Sequence, residues 1–389
     1  MLKRDVWLYI SMPESVGFGN GKAYSRSLVK AARAAMKDVL AIKRNDHFLI
    51  ISNPNPGTRD VAMALFDAAL ESKAIPVLAF QKEKGQFDYT EEEVMKALSA
   101  EPQVTVSISK DRMGMDRHGL KHGYKGKKRR YDGLFDMLYG EGRMRAFWSP
   151  GITPDSFARA VPIDYSVLRA DCRRVVQALR NSYTIRVTAP SGTDITVGVR
   201  GRLPKADDGD FRKLGSAGNI PSGEVYISPA LGSTNGTIAF DGSIALNDGE
   251  IVIRRPIMVD VEDGFAKRIS GSSEADLLRK SIRLGERNTR KMAAKGELKA
   301  SEARKYERNS SAIGELGIGL NRKARIVANM LEDEKVYGTC HFAVGSNYDG
   351  DADALIHLDG LVKSPTITVV GKDPAKEKLL MVDGKLVWD

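Results

Sequence analysis

The sequence predicts an α/β protein: an N-terminal α/β part with a parallel-type sheet, then a strand-rich α+β part that carries the chemistry. Three observations lead there. Apolar strand-like runs alternate with helical patterns early in the chain, with HFLIIS at residues 47–52, a helix over about 59–71 and a strand over 75–80. Strand, helix, strand at that spacing is a βαβ unit, which goes with a parallel sheet. From residue 182 the period drops to two, in YTIRVTAPSGTDITVGVRG, with PSG as the turn of a hairpin. Finally, 389 residues suit two domains at about 100–200 residues each. The division is placed at residues 1–181 and 182–389.

Taken in order, residues 6–11 read as a short strand and GFGNGK, 17–22, as the loop after it. That loop is one residue short of a phosphate-binding G-x-x-x-x-G-K. Ala23 stands where Ser or Thr would hold magnesium, so the loop reads as a plain connection. A helix over about 23–42 follows, its apolar stripe formed by Leu28, Ala31, Ala32, Ala35, Val39 and Leu40. Thr90 with Glu93 three residues on reads as a capping box. Residues 103–109 read as another strand, 131–145 and 153–160 as helices, and RAFWSP between those two as strand and turn. A long amphipathic helix over 163–179 closes the first part. Beyond it, strands are expected at 224–227, 237–241, 250–254 and 258–262. Residues 278–308 are helical in composition, broken at Gly285 and Gly296, with charge all around the axis. Residues 322–331 read as a helix before a strand over 336–344.

Composition narrows the class. An apolar fraction of 42% argues for packed cores and against disorder. The N-terminal apolar run is too short for a signal peptide, and no uncharged apolar run reaches 18 residues. The two cysteines, Cys172 and Cys340, make no disulfide framework and no C-x-x-C pair, which fits a reducing cytoplasm. The net charge of +10 comes from two stretches, 110–131 and 278–308, each with a net +7, leaving −4 for everything else. A basic balance points toward nucleic acid, but its segregation keeps the rest of the chain out of that reading. His118 and His122 in the first stretch have the i, i+4 spacing of a helical zinc pair. Four glycines and the surrounding cations make a solvated basic loop the better reading. His47 reads as an ordinary polar residue at a strand edge.

The metal-type donors concentrate between Gly314 and Gly360. There stand Glu315, His341, Tyr348, His357 and Asp359, with two of the five histidines of the chain. Mixed nitrogen and oxygen donors suit a borderline divalent ion such as zinc, cobalt, manganese or iron(II). On a strand, the H-x-D pair of ALIHLD puts His357 and Asp359 on one face, and alternation pairs His341 with Ala343 while Cys340 points away. Each of these residues alone has an ordinary structural explanation; jointly, with Glu224 upstream, they make a ligand set.

Four ordered words, PSGEVYISP, IGELGIGLN, DEKVYGTCHFAVGSNY and HLDG, together with PGITPDSFARA, resemble the thermophilic aminopeptidase family of the aminopeptidase T and aminopeptidase S type. The resemblance implies a pair of divalent metals held by Glu224, Glu315, His341, His357 and Asp359. Glu315, flanked by glycines beside the histidine word, is the candidate general base. The resemblance implies Tyr348 as the assisting tyrosine, read here as a donor to the developing oxyanion. It also implies a metal-dependent aminopeptidase, a hydrolase acting on a peptide substrate as a homodimer with an enclosed site. No membrane or nucleic-acid partner is expected, and the location is expected to be cytoplasmic. A second reading stays open: the iron(II) ring-cleaving dioxygenases acting on dihydroxypyridines look similar in fold and share the H-x-D word. Two imidazoles and one carboxylate with open positions suit iron and oxygen, and the short connection from His341 to His357 keeps that reading alive. A non-enzymatic nucleic-acid binder built on the basic stretches leaves the ligand set without a purpose.

Overall fold

The computed structural model describes residues 24–85, 88–127, 129–373 and 375–389. The expected strand at 6–11 and the loop at 17–22 lie outside the described residues. The rest is a mixed α/β architecture built on three large sheets.

The first sheet is parallel throughout. Its strands run in the order Ala217–Asn219, Arg145–Trp148, Val104–Ile108, His47–Ser52, Ile75–Phe80. HFLIIS lies inside the sheet, between Val104–Ile108 and Ile75–Phe80, because five of its six residues are apolar enough, or small enough, to be buried. The helix Pro56–Glu71 crosses over to Ile75–Phe80 as the βαβ pattern requires. The first helix, Arg26–Ala34, passes into a π-helical turn at Ala35–Val39. Its expected stripe is buried at Leu28, Ala31, Ala32, Ala35, Val39 and Leu40.

The second part is two antiparallel sheets packed face to face. One has seven strands, Gly249–Val252, Ser243–Leu246, His357–Lys363, Thr339–Gly345, Ile313–Gly319, Glu224–Ile227 and Lys205–Asp207. The other has eight and contains the expected hairpin as Thr184–Thr188 and Asp194–Gly198. Between them Val225, Ile227, Leu316, Ile318, Cys340, Phe342, Val344, Leu358 and Val362 pack with Ile238, Phe240 and Val259 in one core. Gly360 is required there, because a Cβ would lie within 3 Å of the Phe240 ring.

Elements from either side of residue 181 bind the other part. Ala217–Asn219 extends the parallel sheet, and Cys172, on the helix Tyr165–Arg180, packs 4.0 Å from the Glu224 carbonyl. Arg159 forks onto buried Glu332, 2.8 Å to each carboxylate oxygen. Asn321 donates to the carbonyls of Ala160 and Ser222. No helix among the described residues is long and apolar enough to cross a membrane.

Several local expectations change. Thr90 does not cap: its hydroxyl donates to Met113, and the helix Glu92–Ser99 starts from Glu91. The helix expected over 131–145 is only Leu134–Gly140, bounded by Gly133 and by Gly142 at φ 70°. Residues 322–329 are not helical, because Glu332 and Asp333 take the N–H groups of Arg325 and Val327, leaving only Met330–Asp333 as helix. His118 and His122 do lie on a short helix, Arg117–His122, started by Asp116 accepting from Gly119. The helix Ser273–Ala294 runs straight through Gly285. It buries Leu278, Ser281, Ile282, Gly285 and Thr289 on one face instead of carrying charge all around. Gly285 is a packing notch: a Cβ would come 2.9 Å from Ile356, the residue before His357.

Candidate metal centre

Four adjacent strands of the seven-stranded sheet deliver the donors. Alternation puts Glu224 and Tyr226, Glu315 and Gly317, His341 and Ala343, and His357 and Asp359 on the face away from the core. Register then sets the spacing. Ala343 pairs with Glu315 on one side and Asp359 on the other, so only a methyl group separates the two carboxylates. Gly317 pairs with His341. A Cβ at Gly317 would lie 2.1 Å from two atoms of the His341 ring, so the glycine makes room for the imidazole.

All five expected ligands therefore come together. His357 Nε2 lies 3.2 Å from Asp359 Oδ1 and 3.4 Å from Glu315 Oε2. His341 Nε2 lies 3.4 Å from Glu315 Oε1 and 3.6 Å from Glu224 Oε2. The Glu315 carboxylate sits between the two imidazoles. His357 Nδ1–H donates to the Ser346 carbonyl at 2.8 Å, which leaves Nε2 as the lone-pair nitrogen facing the site.

The residues fit a divalent ion. Two triplets of donors have atoms within 4.8 Å of one another: Glu315, His357 and Asp359, and Glu224, Glu334 and His341. Glu315 Oε2, Asp359 Oδ1, Glu224 Oε2 and His341 Nδ1 are buried without a hydrogen bond among the described residues. Buried carboxylate oxygens left unsatisfied are costly in a finished core and ordinary in a cation site.

The electrostatics agree. Burial opposes charge on His341, yet Glu315 and Glu224 lift it to about 9. Burial also opposes ionisation of Asp359, but His357 and His341 hold its carboxyl at about 2. Without a metal the imidazoles carry as protons the positive charge that the carboxylates demand.

Residues not anticipated complete the centre. Lys335 is fully buried, and its Nζ lies 2.6 Å from Glu224 Oε1, against Glu334 Oε1, and 3.7 Å from Asp207 Oδ2. Burial pushes Glu334 up to about 8 and Asp207 up to about 7. EDEK at 332–335 has the look of a solvated charge run, yet Glu332, Asp333 and Lys335 are wholly buried with dedicated partners. The usable signal was position: DEK opens the same word that carries His341.

A cavity of about 420 Å³ opens onto these groups. Glu224, Glu315, Glu334, Asp207 and His357 line one side, and Tyr139, Trp148, Tyr226 and Tyr348 supply aromatic walls. The Tyr348 ring centroid is 5.3 Å from that of His357 and 5.4 Å from that of Tyr226. Trp148 comes from the parallel sheet, so both parts of the chain form this cavity.

Comparison with known proteins comes down on one side of the two readings. The family model NicX, 2,5-dihydroxypyridine 5,6-dioxygenase, matches residues 28–377. A search of curated proteins finds no match. Among solved structures, the 2,5-dihydroxypyridine dioxygenase from Pseudomonas putida KT2440 is similar with a TM-score of 0.66 and 16% identity, covering 93% of this chain and 97% of that one. AmpT from Thermus thermophilus is similar with a TM-score of 0.62 and 16% identity, covering 93% and 99%. At that identity both likenesses carry the fold. The family match overturns the main functional expectation: the chain is not grouped with hydrolases, and the aminopeptidase and proteolysis assignments are withdrawn. The four sequence words identified the shared fold and pointed to the wrong branch of it.

Proposed function

The chain belongs to the NicX, 2,5-dihydroxypyridine 5,6-dioxygenase family, and from that membership we propose that it is an iron(II)-dependent dioxygenase that cleaves a hydroxylated aromatic ring. The observation that carries the reading is the aromatic-walled cavity, which opens directly onto His357 and Glu315.

His341, His357 and Asp359 would hold the ion, with Glu315 between the imidazoles; two imidazoles and one carboxylate with open positions are the donor set of non-haem iron oxygenases. Bound there, iron(II) supplies the redox chemistry that brings dioxygen and an electron-rich ring to reaction. The protein does the rest. Tyr139, Trp148, Tyr226 and Tyr348 present flat faces to a flat substrate, each stacked pair worth about 0.5–1.5 kcal/mol. Glu334, with its carboxyl near 8, is suited to exchange a proton with a ring hydroxyl near neutral pH. In this proposal residues 182–389 form the catalytic domain, and residues 1–181 contribute Tyr139 and Trp148 to the substrate wall.

The test is to load the metal-free protein with iron(II) without air, add 2,5-dihydroxypyridine, and admit oxygen at an electrode. Oxygen uptake with loss of the aromatic absorbance, dependent on iron, supports the proposal. No uptake with any of a panel of dihydroxylated pyridines and benzenes would remove it.

A further inference from the structure

The two donor triplets look alike on paper. Both combine an imidazole with carboxylates, and both have mutually close ligand atoms. They differ in a single side chain. Lys335 sends its Nζ into the triplet of Glu224, Glu334 and His341, and no lysine or arginine among the described residues forms an ion pair with Glu315 or Asp359.

We propose that the Lys335 ammonium is a built-in cation occupying the second divalent-metal position, so that the chain binds one metal ion and not two. This rests on the one-iron reading above and explains how the site enforces it.

A divalent ion bonds carboxylate oxygens at about 2.0–2.2 Å. Lys335 Nζ already lies 2.6 Å from Glu224 Oε1 and bonds Glu334 Oε1 as well. An ion joining those two oxygens would need the volume the ammonium fills. The lysine cannot easily withdraw, because it is wholly buried and Asp207, on the strand next to that of Glu224, lies 3.7 Å from Nζ. Its own charge would also repel an incoming ion. Yet the position retains donors that an ion could use: Glu224 Oε2, on a residue only 5% exposed, has no hydrogen bond and faces His341 Nε2 at 3.6 Å. The pocket is built for a cation and already has one. Among the described residues no lysine or arginine stands with Glu315, His357 and Asp359, and that is where a metal would enter, with His341 Nε2 reaching it from the border of the two positions, 3.4 Å from Glu315 Oε1.

Removing the ammonium while keeping its volume should therefore create a second metal site. Metal-free protein is titrated with manganese(II), a redox-stable probe, followed by calorimetry and by elemental analysis after gel filtration. Wild type should bind one ion per chain. Lys335→Met should bind two, with a larger rise in melting temperature on adding manganese than wild type shows. Lys335→Met combined with Glu224→Gln should return to one. Glu224→Gln alone, the variant to rely on if Lys335→Met does not fold, should keep one. Two ions in wild type, one ion in folded Lys335→Met, or none in Glu224→Gln would each overturn the proposal. A wild type that binds none defeats the one-iron reading and this proposal with it. One ion in wild type and one in folded Lys335→Met defeats this proposal alone.

Discussion

The two halves of the centre solve the same problem differently. Around Glu224, Glu334 and Asp207 the buried negative charge is met by Lys335 from the chain itself. Around Glu315 and Asp359 it is met by His341 and His357, which can give up their protons. The first arrangement is permanent and its removal should be felt as lost stability. The second is exchangeable and its removal should be felt as lost metal and lost chemistry. Substitutions on the two sides should therefore separate cleanly.

The largest effect belongs to the exchangeable half. His357→Ala should abolish tight metal binding and reduce turnover to background. It should also cancel the stabilisation by added metal, which for an intact site is about 2.7 kcal/mol at one hundred times Kd. Retained metal in this variant would break the comparison. Gly317→Ala comes next. The new methyl group competes with the His341 ring for space, so metal affinity should drop by about ten- to a hundredfold, as for other perturbations of ligand orientation. In the permanent half, Glu224→Gln leaves a buried ammonium short of a partner. It should cost about 3–5 kcal/mol of stability, measured by denaturant melts.

Acidity sharpens the same contrast. Metal must displace the His341 proton, held to about 9, so affinity should weaken steadily as pH falls from 9 toward 6, with proton release on binding. In metal-free protein the raised His341 value means that the folded state holds this proton more tightly than the unfolded one. Its contribution is complete below about 6.5 and fades as pH climbs through about 9. A metal affinity independent of pH would take His341 out of the ligand set. The smallest effect is expected far from both halves: neutralising Lys127, Arg129 and Arg130, which border a separate surface cleft, should leave kcat/KM for a small aromatic substrate within about twofold, as for surface changes that touch nothing else.

Much of this centre was legible because strand periodicity is unforgiving. H-x-D on an apolar run fixes two side chains on one face, and Glu224–Ile227 appeared as a strand with its expected bounds. The βαβ start and the later hairpin were equally plain. What stayed hidden depended on tertiary partners. The lysine of EDEK has the sequence signature of a solvent-facing charge, and only the convergence of strands bearing Asp207 and Glu224 turns it inward. Gly285 and Gly142 carry no local mark to show that one is a packing notch inside a helix and the other a helix end. The choice between two chemistries on one fold was beyond the ligand words, because the H-x-D word is common to both readings. Nothing in those words revealed that Trp148, from the parallel sheet, and Tyr139, from the helix Leu134–Gly140, would form an aromatic wall of the site.

The central claim is that this centre joins dioxygen to an aromatic ring. The most direct measurement is isotopic: iron(II)-loaded protein is given 2,5-dihydroxypyridine under 18O2, and the product is weighed by mass spectrometry. A ring-opened product carrying two heavy oxygen atoms, formed by wild type and not by His357→Ala, is the predicted result. An unchanged ring, or a product whose added oxygen comes only from water, would contradict the account.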